Sequence, residues 1–174
     1  MPTAGWLCAE RLVLRPIGAG DKEEMLDILT DGEVAKTFML PDFASREDAV
    51  GLFARFCTLC VSNTHFVYGI ALGGKLIGFV NVVDADETQA EIGYVICPRY
   101  SGHGYATEAA YAAMEELFAL GFGIVTAGAF EENPASMRVM EKCGMQRTEK
   151  TDMIEYRGKM HRCVYYEKIA AGRG

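Results

Sequence analysis

The period of the apolar positions changes several times along this chain, and each change marks an element. Arg11-Leu12-Val13-Leu14-Arg15 alternates and stops at Pro16, which predicts a short strand. Asp21-x-x-Glu24 stands ahead of Met25, Leu26, Ile28 and Leu29, the pattern of a capping box opening a helix. Ser45-x-x-Asp48 opens a second helix in the same way. Residues 31–44 between them have no clear period and carry Phe38, Met39, Leu40 and Phe43, an apolar loop placed to line a pocket. The runs 66–72 and 75–83 are joined by Gly73-Gly74, a hairpin signal, and a polar turn at 84–89 leads to a third strand that Pro98 ends. Ala106, Ala110, Ala113, Met114 and Leu117 recur at helical spacing until Gly121-x-Gly123. Ile124–Phe130 is almost wholly apolar, as in a strand buried on both faces. Its strand–helix–strand connection predicts that it lies parallel to the strand at 90–97. A short helix follows from Asn133-Pro134 to Gly144, then two loosely alternating strands over 145–169 that turn at Arg157-Gly158. The tail from Ala170 to Gly174 reads as frayed.

Composition narrows the class. With 174 residues, 50% hydrophobic and 24% charged, the chain is expected to form one globular domain over 1–174 that buries about 70% of its unfolded surface. The formal charge of −7 argues against nucleic acid as a partner. No apolar run is long enough for a membrane span and no secretory leader is visible at Met1, so a cytoplasmic protein is expected. Six dispersed cysteines then read as reduced thiols. Cys57-x-x-Cys60 has no second ligand pair at zinc spacing, so core packing is expected there and no metal.

The segment richest in chemistry is Pro98-Arg99-Tyr100-Ser101-Gly102-His103-Gly104-Tyr105-Ala106-Thr107, where a strand hands over to a helix. Glycines there let main-chain N–H groups converge at the positive end of the helix dipole, which suits a pyrophosphate. A P-loop would need Gly-Lys-Ser/Thr at its end, which is missing. A dinucleotide fingerprint would need a third glycine where Thr107 stands, which disfavours a nicotinamide enzyme.

From "AEIGYVI" through "PRYSGHGYATEA" to "ENPASMRVMEKCGM", with "ERLVLRPI" and "GGKLIGFVNV" upstream, the chain resembles the GNAT superfamily of acetyl-CoA-dependent N-acetyltransferases. More narrowly it resembles the Rim-type branch, which includes enzymes that acetylate ribosomal-protein N-termini. The resemblance implies an α/β fold with a central, mostly antiparallel mixed sheet, flanked by helices and split at one splayed parallel strand pair where acetyl-CoA enters. It implies that Ser101, Gly102, His103, Gly104, Tyr105, Ala106 and Thr107 form the pyrophosphate loop. Ser101 departs from the family's basic or amide residue, and Arg99 or His103 could supply the charge instead. It further implies that main-chain groups of Tyr94 and Ile96 meet the pantetheine arm and polarise the thioester. Asn133 would touch the pantetheine, and as an N-cap ahead of Pro134 it also has a structural role.

Ser136 would lie near the thiol as the acid for the departing thiolate. The tyrosine that many family members place four residues later is Met140 here, which has no proton to give. Glu91 is the expected base, with Glu131 and Glu132 as runners-up. Cys97 has no neighbouring histidine in sequence, which argues against an acyl-enzyme. The implied reaction is direct transfer of acetyl to a primary amine, on a protein N-terminus or a small molecule, in a ternary complex. The alternative is a domain that binds acyl-CoA with little turnover. The sequence names neither the acceptor nor the oligomeric state, and a homodimer is among the states it allows.

Overall fold

In the computed structural model, residues 5–171 are described, so the end of the expected frayed tail, 172–174, lies outside the described residues. The chain runs β1 (Leu7–Cys8), β2 (Leu12–Arg15), α1 (Lys22–Leu29), α2 (Val34–Thr37), α3 (Ala49–Cys60), β3 (Val67–Leu72), β4 (Lys75–Ala85), β5 (Gln89–Ile96), α4 (Tyr105–Ala119), β6 (Ile124–Phe130), α5 (Pro134–Lys142), β7 (Gln146–Tyr156) and β8 (Lys159–Ile169). The strands form one sheet in the order β1-β2-β3-β4-β5-β6-β8-β7. All pairs are antiparallel except β5–β6, the parallel pair expected from the crossover through α4.

The alternation along each strand sorts side chains onto two faces. Ala90 and Ile92 of β5 and Val125 and Ala127 of β6 pack with Ala113, Met114 and Leu117 of α4. Val95, Phe79 and Val67 face the other way, against Met25 and Leu29 of α1 and Phe53 of α3. Cys60 is buried in that second layer, and burial pushes its thiol up to about 11, so the Cys57–Cys60 pair is packing.

The helix starts differ from expectation in detail. Asp21 does not cap α1 with Glu24. Its carboxylate turns back to accept from the Gly18 N–H (2.8 Å) and pairs with Arg15 (2.7 Å). A short 3-10 turn, Ala19–Asp21, therefore precedes α1, with Gly18, which has no side chain to complete a box, as its N-cap. The second box does form: the Ser45 N–H donates to Asp48 Oδ2 (2.9 Å) and the Asp48 N–H to Ser45 Oγ (3.3 Å). The turn it closes is tight, and regular helix begins only at Ala49. Within the expected loop at 31–44, α2 makes one helical turn. No helix among the described residues is long and apolar enough to cross a membrane.

The sheet comes apart in the middle. β5 and β6 pair only at Gln89↔Ile124, Ala90↔Val125 and Glu91↔Thr126. Beyond that point β5 continues on β4 as far as Gly78↔Ile96, while β6 continues on β8 as far as Phe130↔Cys163. Two strands anchored to different neighbours diverge, and a V-shaped cleft opens between them.

Candidate active site

The vertex of the V is Glu91, and its arms are β5 and β6. On β5 the Cys97 N–H donates to Ile77 O on β4 (2.8 Å). Main-chain groups alternate sides along a strand. Those of Tyr94 and Ile96 therefore point away from β4, into the gap that β6 has left. They form a sheet edge inside the molecule, ready to pair with an extended ligand.

The cleft, about 590 Å³, is lined by Tyr94 and Ile96, by Ser101, Gly102, Gly104, Tyr105, Ala106 and Thr107, and by Asn133 and Ser136. The structure thus brings together nearly every residue singled out for cofactor contact. Gly104 takes φ +82°, which turns the chain into α4, and α4 starts at Tyr105 with no side-chain cap. The orphan N–H groups of its first turn line the cleft at the positive end of the helix dipole. Glu108 fixes this loop from behind. It accepts from the N–H groups of Arg11 (2.6 Å) and Leu12 (3.0 Å), and Arg11 also donates to His103 O (3.0 Å).

The side chains first considered for the charge do not line the cleft. His103 is outside the cleft lining, with its ring stacked 5.6 Å from that of Tyr105 and Nδ1 2.9 Å from Ser101 O. Arg99 is paired with Asp27 (3.1 Å). Two cations on α5, Arg138 and Lys142, line the cleft instead. Their i, i+4 spacing across one helix face was the signal for them in the sequence.

Asn133 is the N-cap of α5, its Oδ1 accepting from the Ser136 N–H (3.2 Å). Met140 is 1% exposed and belongs to the core. A hydroxyl pair stands in the cleft between β5 and α5. Tyr94 OH lies 2.9 Å from Ser136 Oγ, and either can donate. Burial pushes the Tyr94 phenol above its ordinary range, so it stays protonated at neutral pH. The Tyr94 side chain was not foreseen, because its partner is 42 residues away.

Glu91 faces the side opposite α4. Burial raises its carboxyl above the ordinary range, offset by nearby Lys150 and reinforced by Asp84 and Asp152. It sits five residues from Ile96, roughly 16 Å along the strand. It therefore forms the closed end of the V and not the cleft wall proper.

A second cavity of about 550 Å³ meets the first at Thr37 and Asn133, which line both. Its walls are α2, the Phe130, Tyr156 and His161 rings, and Glu132. Tyr156 closes one side, donating to Ala35 O (2.8 Å). Glu131 points elsewhere, towards Arg147 (3.6 Å) and Arg162 (3.7 Å). The glycine-bearing cleft and this second cavity can together present two reactants end to end. The apolar loop expected to line a pocket does so on both sides, through Val34 and Phe38 in one and Ala35 in the other. No group of three or more metal-ligating side chains is found among the described residues.

Comparison with known proteins gives this geometry a context. The acetyltransferase (GNAT) domain family matches residues 11–146. The uncharacterised N-acetyltransferase YoaA of Bacillus subtilis is 30% identical over 143 residues, covering 79% of this chain and 81% of its own. The crystal structure of a GNAT-family acetyltransferase from Bacillus anthracis superposes with a TM-score of 0.81 at 28% identity, over 94% of this chain and 98% of that one. RimL, the ribosomal L7/L12 alpha-N-protein acetyltransferase in complex with coenzyme A, shares the fold with a TM-score of 0.80 at 16% identity, over 94% of this chain and 97% of its own.

Proposed function

The chain belongs to the acetyltransferase (GNAT) domain family, and from that premise we propose that it transfers acetyl from acetyl-CoA directly to a primary amine, on a protein N-terminus or a small molecule. The observation that carries this reading is the unpaired edge of β5 at Tyr94 and Ile96. It runs between the glycine loop at one end and the Tyr94–Ser136 hydroxyl pair at the other. That sequence of groups matches a pyrophosphate, an amide-bearing arm and a thioester in order.

Acetyl-CoA is the acyl donor here, a substrate rather than a resident group. The loop N–H groups with Arg138 and Lys142 hold its phosphates. Main-chain N–H groups on β5 pair with the arm and polarise the thioester carbonyl, where negative charge develops as the amine adds. The Tyr94–Ser136 pair gives a proton to the departing thiolate. Glu91, just beyond the cleft wall, receives through water the proton that the nitrogen sheds once it has bonded to carbon, and its raised pKa strengthens it for that task. Attack is direct: Cys97 is buried, with no role as an acyl carrier. The alternative, binding without turnover, was motivated by two departures, Ser101 and Met140; the Tyr94–Ser136 hydroxyl pair and the cations Arg138 and Lys142 in the cleft favour turnover over it. Cys8, Cys57, Cys97, Cys143 and Cys163 are free thiols, which fits a reducing cytoplasm.

Glu91→Gln is the variant that tests the proton step. It should lower kcat by about 10²-fold. It should also flatten the rise of kcat with pH and leave the Kd for acetyl-CoA unchanged. An unaltered kcat–pH profile would assign the proton to another group.

A further inference from the structure

The second cavity contains a histidine for which neither the fold nor the acyl-transfer machinery above has a use. His161 is on β8, its side chain 15% exposed, its ring stacked on Phe130 at 4.5 Å. Its Nδ1 is shut away from solvent with no formed hydrogen bond, and Glu132 Oε1 lies 3.5 Å from it. A buried ring nitrogen without a partner is uncommon, and a small rotation of the exposed Glu132 side chain would satisfy it. A carboxylate on Nδ1 fixes the proton there and leaves Nε2 as a lone pair. Since Nδ1 is buried, Nε2 is the nitrogen left to serve the cavity that the ring lines. That cavity meets the acyl cleft at Thr37 and Asn133.

Acetyl transfer to an amine sheds two protons from the same nitrogen. An alkylammonium has no lone pair, so one proton must leave before attack, and the second leaves after the new C–N bond forms. Glu91, at the vertex of the V and outside both cavity linings, takes the second through water. We propose that His161, oriented by Glu132, takes the first, so that the second cavity is the acceptor site and selects amines that arrive as ammonium ions. This rests on the transfer reading above. The proton passes from the ammonium nitrogen to Nε2 and on to water through the open cavity. The free amine then attacks the thioester carbon, and the thiolate leaves with a proton from the Tyr94–Ser136 pair. That pair recovers its proton from Glu91 through solvent. The sum is one amide, one thiol and one proton released.

The charged and titratable groups around the ring come from several elements. Glu132 and Glu131 lie on the β6–α5 connection, Lys159 and Arg162 on β8, Tyr156 and Arg157 at the β7–β8 turn, and Lys36 on α2. Glu132 is the acid that faces Nδ1, and Lys159 lies 3.9 Å from its carboxylate.

Two measurements on the full chain test this. The first is nitrogen NMR of the three histidines above neutral pH, with the His161 signals assigned by loss in His161→Gln. The expected result is the Nδ1–H tautomer with Nε2 bare, reverting towards the common Nε2–H form in Glu132→Gln. An Nε2–H tautomer in the wild type overturns the proposal, whatever the acceptor is. The second is kcat/KM against pH with n-butylamine and a free-N-terminal tripeptide. In the wild type kcat/KM levels off below the amine's own pKa. In His161→Gln it falls by about 10²-fold at neutral pH and keeps rising until the amine deprotonates by itself. Glu132→Gln shows the same displacement to a smaller extent. An equal loss at every pH makes His161 a packing residue and overturns the proposal. Failure of the transfer reading looks different: the wild type would bind acetyl-CoA and acetylate neither amine, while the tautomer still reports on the Glu132–His161 pair.

Discussion

Gly104→Glu should abolish acetyl-CoA binding. The wild type, with ligand at 100 times its Kd, gains about 2.7 kcal/mol, a rise in Tm of roughly 5–10 °C for a chain of this size. The variant should show no rise at all. Gly104 takes φ +82° and lines the cleft, and a Cβ there would lie 3.5 Å from Arg11 Nη2. A glutamate at this position adds left-handed backbone strain and puts a negative charge at the N-terminus of α4, where it opposes a pyrophosphate and competes for its donors. Gly104→Ala separates charge from strain. It meets the same left-handed backbone at a cost of about 1–2 kcal/mol, yet should still bind. If Gly104→Glu binds acetyl-CoA normally, the loop is not the phosphate site.

The second large effect is expected at Gly78, which lies in the GGKLIGFVNV hairpin but was given no role from the sequence. Gly78 on β4 pairs with Ile96, and a Cβ there would lie 2.1 Å from Val95 O, a main-chain atom that cannot swing aside. Gly78→Ala must push β5 away from β4 in the segment whose free edge faces the cleft. Overpacking of this kind costs about 3 kcal/mol, or roughly 6–12 °C in Tm. Acetyl-CoA affinity should fall with it, because Tyr94 and Ile96 move together with Val95. Gly51→Ala is the matched control. It lies within α3 with nothing within 4 Å, and should stabilise by about 0.5–1 kcal/mol. A Gly78→Ala protein as stable as the wild type would show that β5 is free to shift, contrary to a rigid, preformed cleft edge.

These two glycines also mark what the sequence could and could not carry. Gly104 was legible because a glycine loop before an amphipathic helix is a local pattern with a local physical cause. So were the β3–β4–β5 meander, the parallel return through α4, and the N-cap at Asn133. The parallel pair was legible, but the point where it parts was not, since it depends on β8 inserting beside β6 from 33 to 45 residues downstream. β1 was missed because two residues have no period, and α2 because a single turn offers too few positions to show one. At Asp21 local chemistry suggested a cap, and the tertiary partner Arg15 claimed the carboxylate. The candidate site divides in the same way. Its loop and Ser136 came from contiguous motifs. The Tyr94 hydroxyl, the α5 cations facing the cleft and the Glu132–His161 pair exist only once β5, β6, α5 and β8 are assembled. His161 had no nearby acid to announce it: Glu132, its partner, lies 29 positions earlier in the chain.

The measurement that bears most directly on the central claim is a stoichiometric transfer assay. The protein is incubated with acetyl-CoA and a mixture of peptide N-termini and small primary amines, and free CoA thiol is counted against acetylated amine. The expected result is thiol released one for one with amide, at a rate that depends on the amine and with no acetyl left on the protein. Acetyl-CoA that binds tightly but yields neither thiol nor amide with any amine would contradict the account, and so would thiol released with the acetyl group retained on Cys97.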